Sequence, residues 1–160
     1  MKTFCGIDIG LKGGVAVIDE NGSILKLFSM PIKLNQQGKD EVDSLSLYKQ
    51  LQIGHLSVCI EALKSFGNEG RASLWSFGTS NGKTRAVLEI LGYSHIVVDP
   101  KIWKADVLKG TSKDKKAAIG WCLQKWPSVN LKEDSSQYKD GLADALCLAE
   151  FCRRQALGGS

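Results

Sequence analysis

Histidine is nearly absent from this chain: His55 and His95 are the only two in 160 residues. With no Cys-x-x-Cys pair to supply sulfur either, the usual zinc arrangements are excluded. The five cysteines (Cys5, Cys59, Cys122, Cys147 and Cys152) are odd in number and sit inside apolar runs, which predicts buried free thiols rather than a disulfide framework. No serine or cysteine has a recognisable base partner, so the sequence offers no protein nucleophile. No apolar run reaches membrane-spanning length, and the chain opens as a strand rather than as a charged-then-apolar signal segment. The expectation is a cytoplasmic protein, in a cytosol or an equivalent compartment, with no membrane. Charge of one sign does not dominate: Lys and Arg number 21 against 17 Asp and Glu, a net +4. That balance permits a polyanionic partner if acids gather at one site and basic residues lie elsewhere.

What is present fits one globular domain, with 43% apolar and 24% charged residues. There is no repeat, no low-complexity segment and no dividing linker. The domain is expected over residues 1–156, with 157–160 as a flexible tail of the kind cloning leaves. The central stretch is Thr3–Ile18, TFCGIDIGLKGGVAVI. Its first run is apolar on both faces and reads as a strand in the middle of a sheet. That strand carries one acid, Asp8, before a turn through Gly10, Lys12, Gly13 and Gly14. A carboxylate there needs a positive partner, for which a divalent cation is the usual solution. The plainer reading is an aspartate capping its own turn.

Residues 3–9, 14–19 and 23–29 read as consecutive strands, with Asn21-Gly22 predicting a type I′ hairpin turn. Leu34–Lys39 reads as a loop and Asp40–Leu51 as a helix with acids in its first turn. Leu56–Glu61 is a fourth strand ending in an acid. A polar loop, Lys64–Arg71, precedes a long helix over 72–91. Gly78 and Gly82 share one face of that helix, which asks for close approach of another backbone. Its own sheet or a second subunit could supply it. His95–Asp99 is a fifth strand, Lys101–Leu108 a short helix with Trp103 and Val107 inward, and Lys109–Lys116 a basic loop. Helices from about Lys113 to Lys125 and from about Tyr138 to Gln155 close the chain, the last with Leu142, Ala145, Leu146 and Ala149 toward the core. Three strands followed by alternating helices and strands predict an α/β mixed sheet covered by helices.

Asp8 and Glu61 would leave one rim together if their strands are neighbours. Asp140 and Asp144, in KDGLADALCLA, share a helical face, where like charges are unfavourable unless a cation lies between them. Asp140 by itself could be an N-cap; Asp144, among Ala143, Ala145 and Leu146, is harder to explain so. Four such acids can bind two divalent cations, which activate water and stabilise the leaving oxygen of a phosphodiester.

The runs GIDIGLKGGVAVID, IEALKSF and DGLADALCLAEF resemble the RuvC-type Holliday junction resolvases of the RNase H-like superfamily. SLWSFGTSNGKTRAVL (Ser73–Leu88) is similar to that family's long helix, and DPKIWK to its strand followed by a Pro- and Lys-bearing helix. The likeness spans nearly the whole chain in order. The four-residue spacing of Asp140 and Asp144 is closer to phage, poxvirus and plastid relatives than to bacterial RuvC, which spaces these acids three apart. The resemblance implies a mixed five-stranded RNase H-like sheet flanked by helices. It further implies a metal-dependent endodeoxyribonuclease that resolves four-way junction DNA by paired hydrolysis, leaving 5′-phosphate ends. Asp8, Glu61, Asp140 and Asp144 would hold two Mg²⁺ (or Mn²⁺) ions, with Lys113 assisting at the phosphate and Lys115 or Lys116 as alternatives for that role. DNA contacts would come from Lys12, Lys64, Phe66, Arg71, Lys104, Lys115 and Lys116. A homodimer through the 72–91 helix would place two sites on opposed strands, with no nucleotide cofactor.

Other readings compete. GIDIG before a glycine turn also opens sugar-kinase and chaperone ATPase folds, but no second nucleotide-binding half follows. An RNA–DNA hybrid nuclease could use the same acids. A non-cleaving branched-DNA binding protein is opposed by four carboxylates that would repel a phosphate backbone.

Overall fold

The computed structural model describes residues 1–63, 70–112, 114 and 116–158. Thr3–Asp8 (β1) and Gly14–Asp19 (β2) pair antiparallel, Cys5 opposite Val17. Each has its first five residues buried and ends in a half-buried aspartate, because both sheet faces are covered at these central strands. Ile24–Ser29 (β3) completes the meander. The turn before it is not type I′: Gly22 has φ 83 while Asn21 stays at negative φ. Instead the Asp19 carboxylate accepts the N–H groups of Asn21 (2.9 Å) and Ser23 (2.8 Å). A register irregularity between Val17 and Ile18 accompanies the altered turn.

The expected loop is present over 35–39, but the helix expected from Asp40 is corrected: Ile32–Leu34 (β4) and Asp40–Val42 (β5) flank that loop as a separate two-stranded sheet. The helix starts later, at Ser44–Gln50 (α1), because Asp43 caps it: its carboxylate accepts the N–H groups of Leu45 and Ser46 at 3.2 and 3.3 Å. The acids read as a first helical turn belong to a strand and a cap.

Leu56–Glu61 (β6) lies parallel to β1, and His95–Val98 (β7) parallel to β6. The main sheet is therefore mixed and five-stranded, as expected, and its order is β3-β2-β1-β6-β7. Arg71–Ile90 (α2), Pro100–Val107 (α3), Ala117–Lys125 (α4) and Asp140–Leu157 (α5) supply the longer helices. α4 begins four residues later than about Lys113, with Lys116 at its cap position and the Asp114 carboxylate on the Lys116 N–H. α5 runs through Leu157, two residues beyond the expected Gln155, to a left-handed Gly158.

α5 is buried on nearly every side and lies across β1 and β2. With Trp103 and Val107 of α3 and Cys122 of α4 it fills one face of the sheet. The other face is filled by Leu47 of α1 and by Val87 and Leu88 of α2. All five cysteines are buried and free, as read from the sequence. Among the described residues, no helix is long and apolar enough to cross a membrane.

Candidate active site

Because β1 and β6 are parallel neighbours with Ile7 opposite Ile60, the residues that follow, Asp8 and Glu61, leave the sheet side by side. The exposed Asp140 opens α5, and Asp144, half-buried like Asp8, lies one turn on. What brings helix and strand together is a backbone contact. A Cβ added to Gly14 would lie 2.6 Å from the Gly141 carbonyl oxygen, and one added to Gly141 would lie 2.3 Å from that of Lys12. Only glycine on both sides lets the start of α5 rest on the β1–β2 turn. The backbone that comes close to this glycine turn is that of α5.

The plainer readings of the acids do not hold. Lys139, not Asp140, occupies the N-cap of α5, so Asp140 is not spent on capping. The Gly10–Gly13 turn is closed by its own backbone, Gly13 N–H to Gly10 C=O at 3.1 Å. Burial pushes the Asp8 carboxyl up to about 8, helped by Asp144, Glu61 and Asp140 and opposed by Lys104. Burial likewise pushes Asp144 up to about 6, with Lys104 opposing and Glu61 and Asp140 adding. The four carboxylates therefore share one electrostatic field, with Lys104 in it. Among the described residues, no three His, Cys, Asp or Glu side chains stand close enough together to hold an ion as they are.

Two supports of the site were not read from the sequence. The buried Trp103 indole N–H donates to Glu61 Oε2 at 2.8 Å, and the Lys104 ammonium stands 5.1 Å from that ring. Trp103 was legible as an inward residue but not as a partner of Glu61. The second support is Glu133, the one non-glycine residue at positive φ (48°) among those described. Its carboxylate accepts the Ser29 N–H (2.8 Å) and hydroxyl (2.6 Å) and pairs with the Lys139 ammonium. Ser29 lies opposite Gly14 in the sheet. The residue immediately before Asp140 is thus tied to the strand beside the Gly14–Gly141 contact.

Lys12 and Asp140 line one cavity with Asp8, of about 380 Å³. A larger one of about 1060 Å³ places Asp140 and Asp144 with Lys101, Lys104 and Lys109. Lys101 and Lys109 were not singled out in the sequence. Arg71 opens α2 and Lys116 caps α4, both exposed, and neither lines these two cavities. Lys64, Phe66, Lys113 and Lys115 lie outside the described residues. Gly78 and Gly82 are exposed, with nothing within 4 Å of an added Cβ, so packing on their own sheet is not what they serve.

The fold is shared with known structures. RuvC of Thermus thermophilus in complex with Holliday junction substrate aligns with TM-score 0.66 over 99% of this chain and 98% of that one, at 14% identity. A second T. thermophilus RuvC structure gives 0.59 over 98% and 97%, at 15% identity. The Fowlpox virus resolvase, solved with substrate Holliday junction DNA, gives 0.52 over 95% and 99%, at 16% identity. No family model and no curated protein matches the chain. The architecture is the RNase H-like α/β fold of the RuvC-type resolvases.

Proposed function

On this frame, held in common with RuvC-type resolvases, we propose that the chain is a structure-selective endonuclease. Its substrate is the four-way (Holliday) DNA junction, cut by paired phosphodiester hydrolysis that leaves 5′-phosphate ends. The observation that carries this reading is the gathering of Asp8 from β1, Glu61 from β6 and Asp140 and Asp144 from α5, where burial first, and then the other three acids, raise the Asp8 carboxyl to about 8.

Asp8, Glu61, Asp140 and Asp144 would hold two Mg²⁺ or Mn²⁺ ions. The donor set fits them: it is all carboxylate oxygen, which suits hard divalent cations, and its mutual repulsion is what such charge relieves. Closing on an ion requires the carboxylates to turn inward, with Glu61 re-aiming within reach of Trp103. Bound there, the ions supply activation of water and stabilisation of the leaving 3′-oxygen. The chain's own residues do the positioning. Trp103 orients Glu61, while Lys12, Lys101, Lys104 and Lys109 flank the acids and would hold the backbone phosphates without reading sequence. Lys113, in the loop before α4, is proposed to assist at the phosphate.

Cutting two opposed strands calls for two sites, and α2 supports a homodimer. Leu74, Gly78, Gly82, Ala86 and Ile90 recur every four residues along its exposed side. Such a row of small residues between apolar ends lets a second helix approach closely. A cytoplasmic location, in host or organelle, completes the proposal.

The test is cleavage of a synthetic four-way junction beside linear duplex and RNA–DNA hybrid, in Mg²⁺, in Mn²⁺ and in EDTA. Symmetrical paired nicks on the junction alone, lost in EDTA, are the expected result. Cutting of the RNA strand of the hybrid would overturn the substrate, and junction binding with no cutting in either metal would overturn the enzyme.

A further inference from the structure

A cavity of about 750 Å³ lies between the β4–β5 hairpin and the first half of α2. Its apolar wall includes Leu11, Leu34 and Trp75, and Trp75 is 78% exposed, although aromatic side chains of that size normally seek cover. Trp75 flanks the small-residue row of α2 on the side turned to the hairpin, since Ala72 and Thr79 line the same cavity. The cavity adjoins the acidic rim: Leu11, Ser76 and Ser80 line both it and the cavity that holds Asp8 and Asp140. Its lining also includes two hydrogen-bonding groups of opposite sense, Asn35 and Asp40. The Asn35 carboxamide oxygen accepts the N–H groups of Gln37 and Lys39, both at 2.9 Å, which leaves its NH₂ to donate. The Asp40 carboxylate accepts.

We propose that this cavity takes one nucleobase, unstacked from the strand beside the phosphate that is cut at the rim of Asp8 and Asp140. Trp75 supplies the stacking face, as aromatic platforms do for single-stranded nucleic acid. Asp40 receives an exocyclic amine and Asn35 donates to the ring nitrogen next to it. With the base oriented by its tether to the strand, that pair matches cytosine and adenine, whereas thymine sets its O4 against the Asp40 carboxylate. The site thereby gives base preference to a cleavage otherwise guided by junction shape. It rests on the junction-cutting reading above.

The experiment uses four-way junctions with 5-iodocytosine at each position flanking the exchange point, irradiated with the full chain in EDTA and mapped by mass spectrometry. The expected cross-link is to Trp75, from one position beside the cleaved phosphate. Trp75→Ala should cut about tenfold more slowly with junction affinity changed no more than about threefold, and Trp75→Phe should recover most of the rate. Asp40→Asn should narrow the preference for cytosine or adenine over thymine at that position. Wild-type rate and preference in Trp75→Ala, or a cross-link only elsewhere, would overturn the inference while leaving the nuclease reading intact. So would a Trp75→Ala variant that sediments as a monomer, since Trp75 would then belong to the contact between copies. A wild-type chain that neither binds nor cuts junctions in Mg²⁺ or Mn²⁺ would remove the parent reading, and this inference with it.

Discussion

Replacing Asp8 by asparagine should stabilise the metal-free protein at alkaline pH while abolishing its cutting. Burial and the neighbouring carboxylates hold Asp8 at about 8 in the folded chain, against 3.8 when unperturbed; Asp144 is held at about 6. An acid that keeps its proton more tightly when folded makes folding take up a proton, so stability falls as pH rises between the two values. For Asp8 that window runs from about 3.8 to about 8, and for Asp144 it closes near 6. At about 1.4 kcal/mol per tenfold in proton affinity, ionised Asp8 carries a ceiling cost of roughly 5–6 kcal/mol at pH 9. The repulsion is shared among four acids, and a buried asparagine keeps a desolvation cost of its own, so roughly half of that ceiling, about 2–3 kcal/mol, is the expected gain. At about 2–4 °C per kcal/mol for a chain of this size, Tm in EDTA at pH 9 should rise by about 5–10 °C. The two proteins should converge as pH falls toward about 4. Calorimetry across pH in EDTA reads the stability, and the junction assay reads the loss of cutting. A parent whose Tm stays flat from pH 5 to 9, or a variant that melts no higher than the parent at pH 9, would refute the reasoning.

Trp103→Phe keeps an aromatic in the core but removes the bond to Glu61; at about 1.5–3 kcal/mol for a charge-assisted bond, cutting should fall about 10–100-fold. A rise in the Mn²⁺ needed for half-maximal rate would mark the defect as one of ligand placement. Gly141→Ala drives a methyl into the Lys12 carbonyl and should cost at least about 1–3 kcal/mol in urea unfolding, with cutting lost as Asp140 moves off Asp8. Burial pushes the Glu150 carboxyl up, but bonds from Arg153, Lys125 and Arg154 outweigh it and hold it at about 2. Its contribution is present above 4.5 and lost as pH falls toward about 2, and Glu150→Ala should cost about 3–5 kcal/mol near pH 7 and much less near pH 3. Gly82→Leu, at an open position of α2, should leave Tm almost unchanged while shifting the sedimentation mass from dimer to monomer; an unchanged dimer would locate the contact elsewhere.

Much of the molecule was legible because it depends on near neighbours in the chain. Apolar runs ending in Asp8 and Glu61, Pro100 opening a helix, and Asp144 stranded among apolar residues each carry their meaning within a few positions. The misreadings were local contests decided by side-chain hydrogen bonds. Asp43 captured the cap that Asp40 had been expected to lead toward, and Asp19 bound the turn N–H groups and displaced the type I′ geometry. In both places an aspartate competed with the backbone pattern and prevailed.

By itself, the sequence determined the composition of the sheet, the free buried thiols, and which acids stand unexplained by packing. What makes those acids one site was decided only in three dimensions. Trp103 reaches Glu61 across 42 residues and Glu133 reaches Ser29 across 104. The Gly14–Gly141 contact exists only once α5 lies across β1 and β2. The exposed side of α2 and the Trp75 cavity are likewise properties of a packed surface. Hydrophobic period and capping act through the chain's own covalent spacing, whereas contact, desolvation and shared electrostatic field depend on distances that only the closed fold sets.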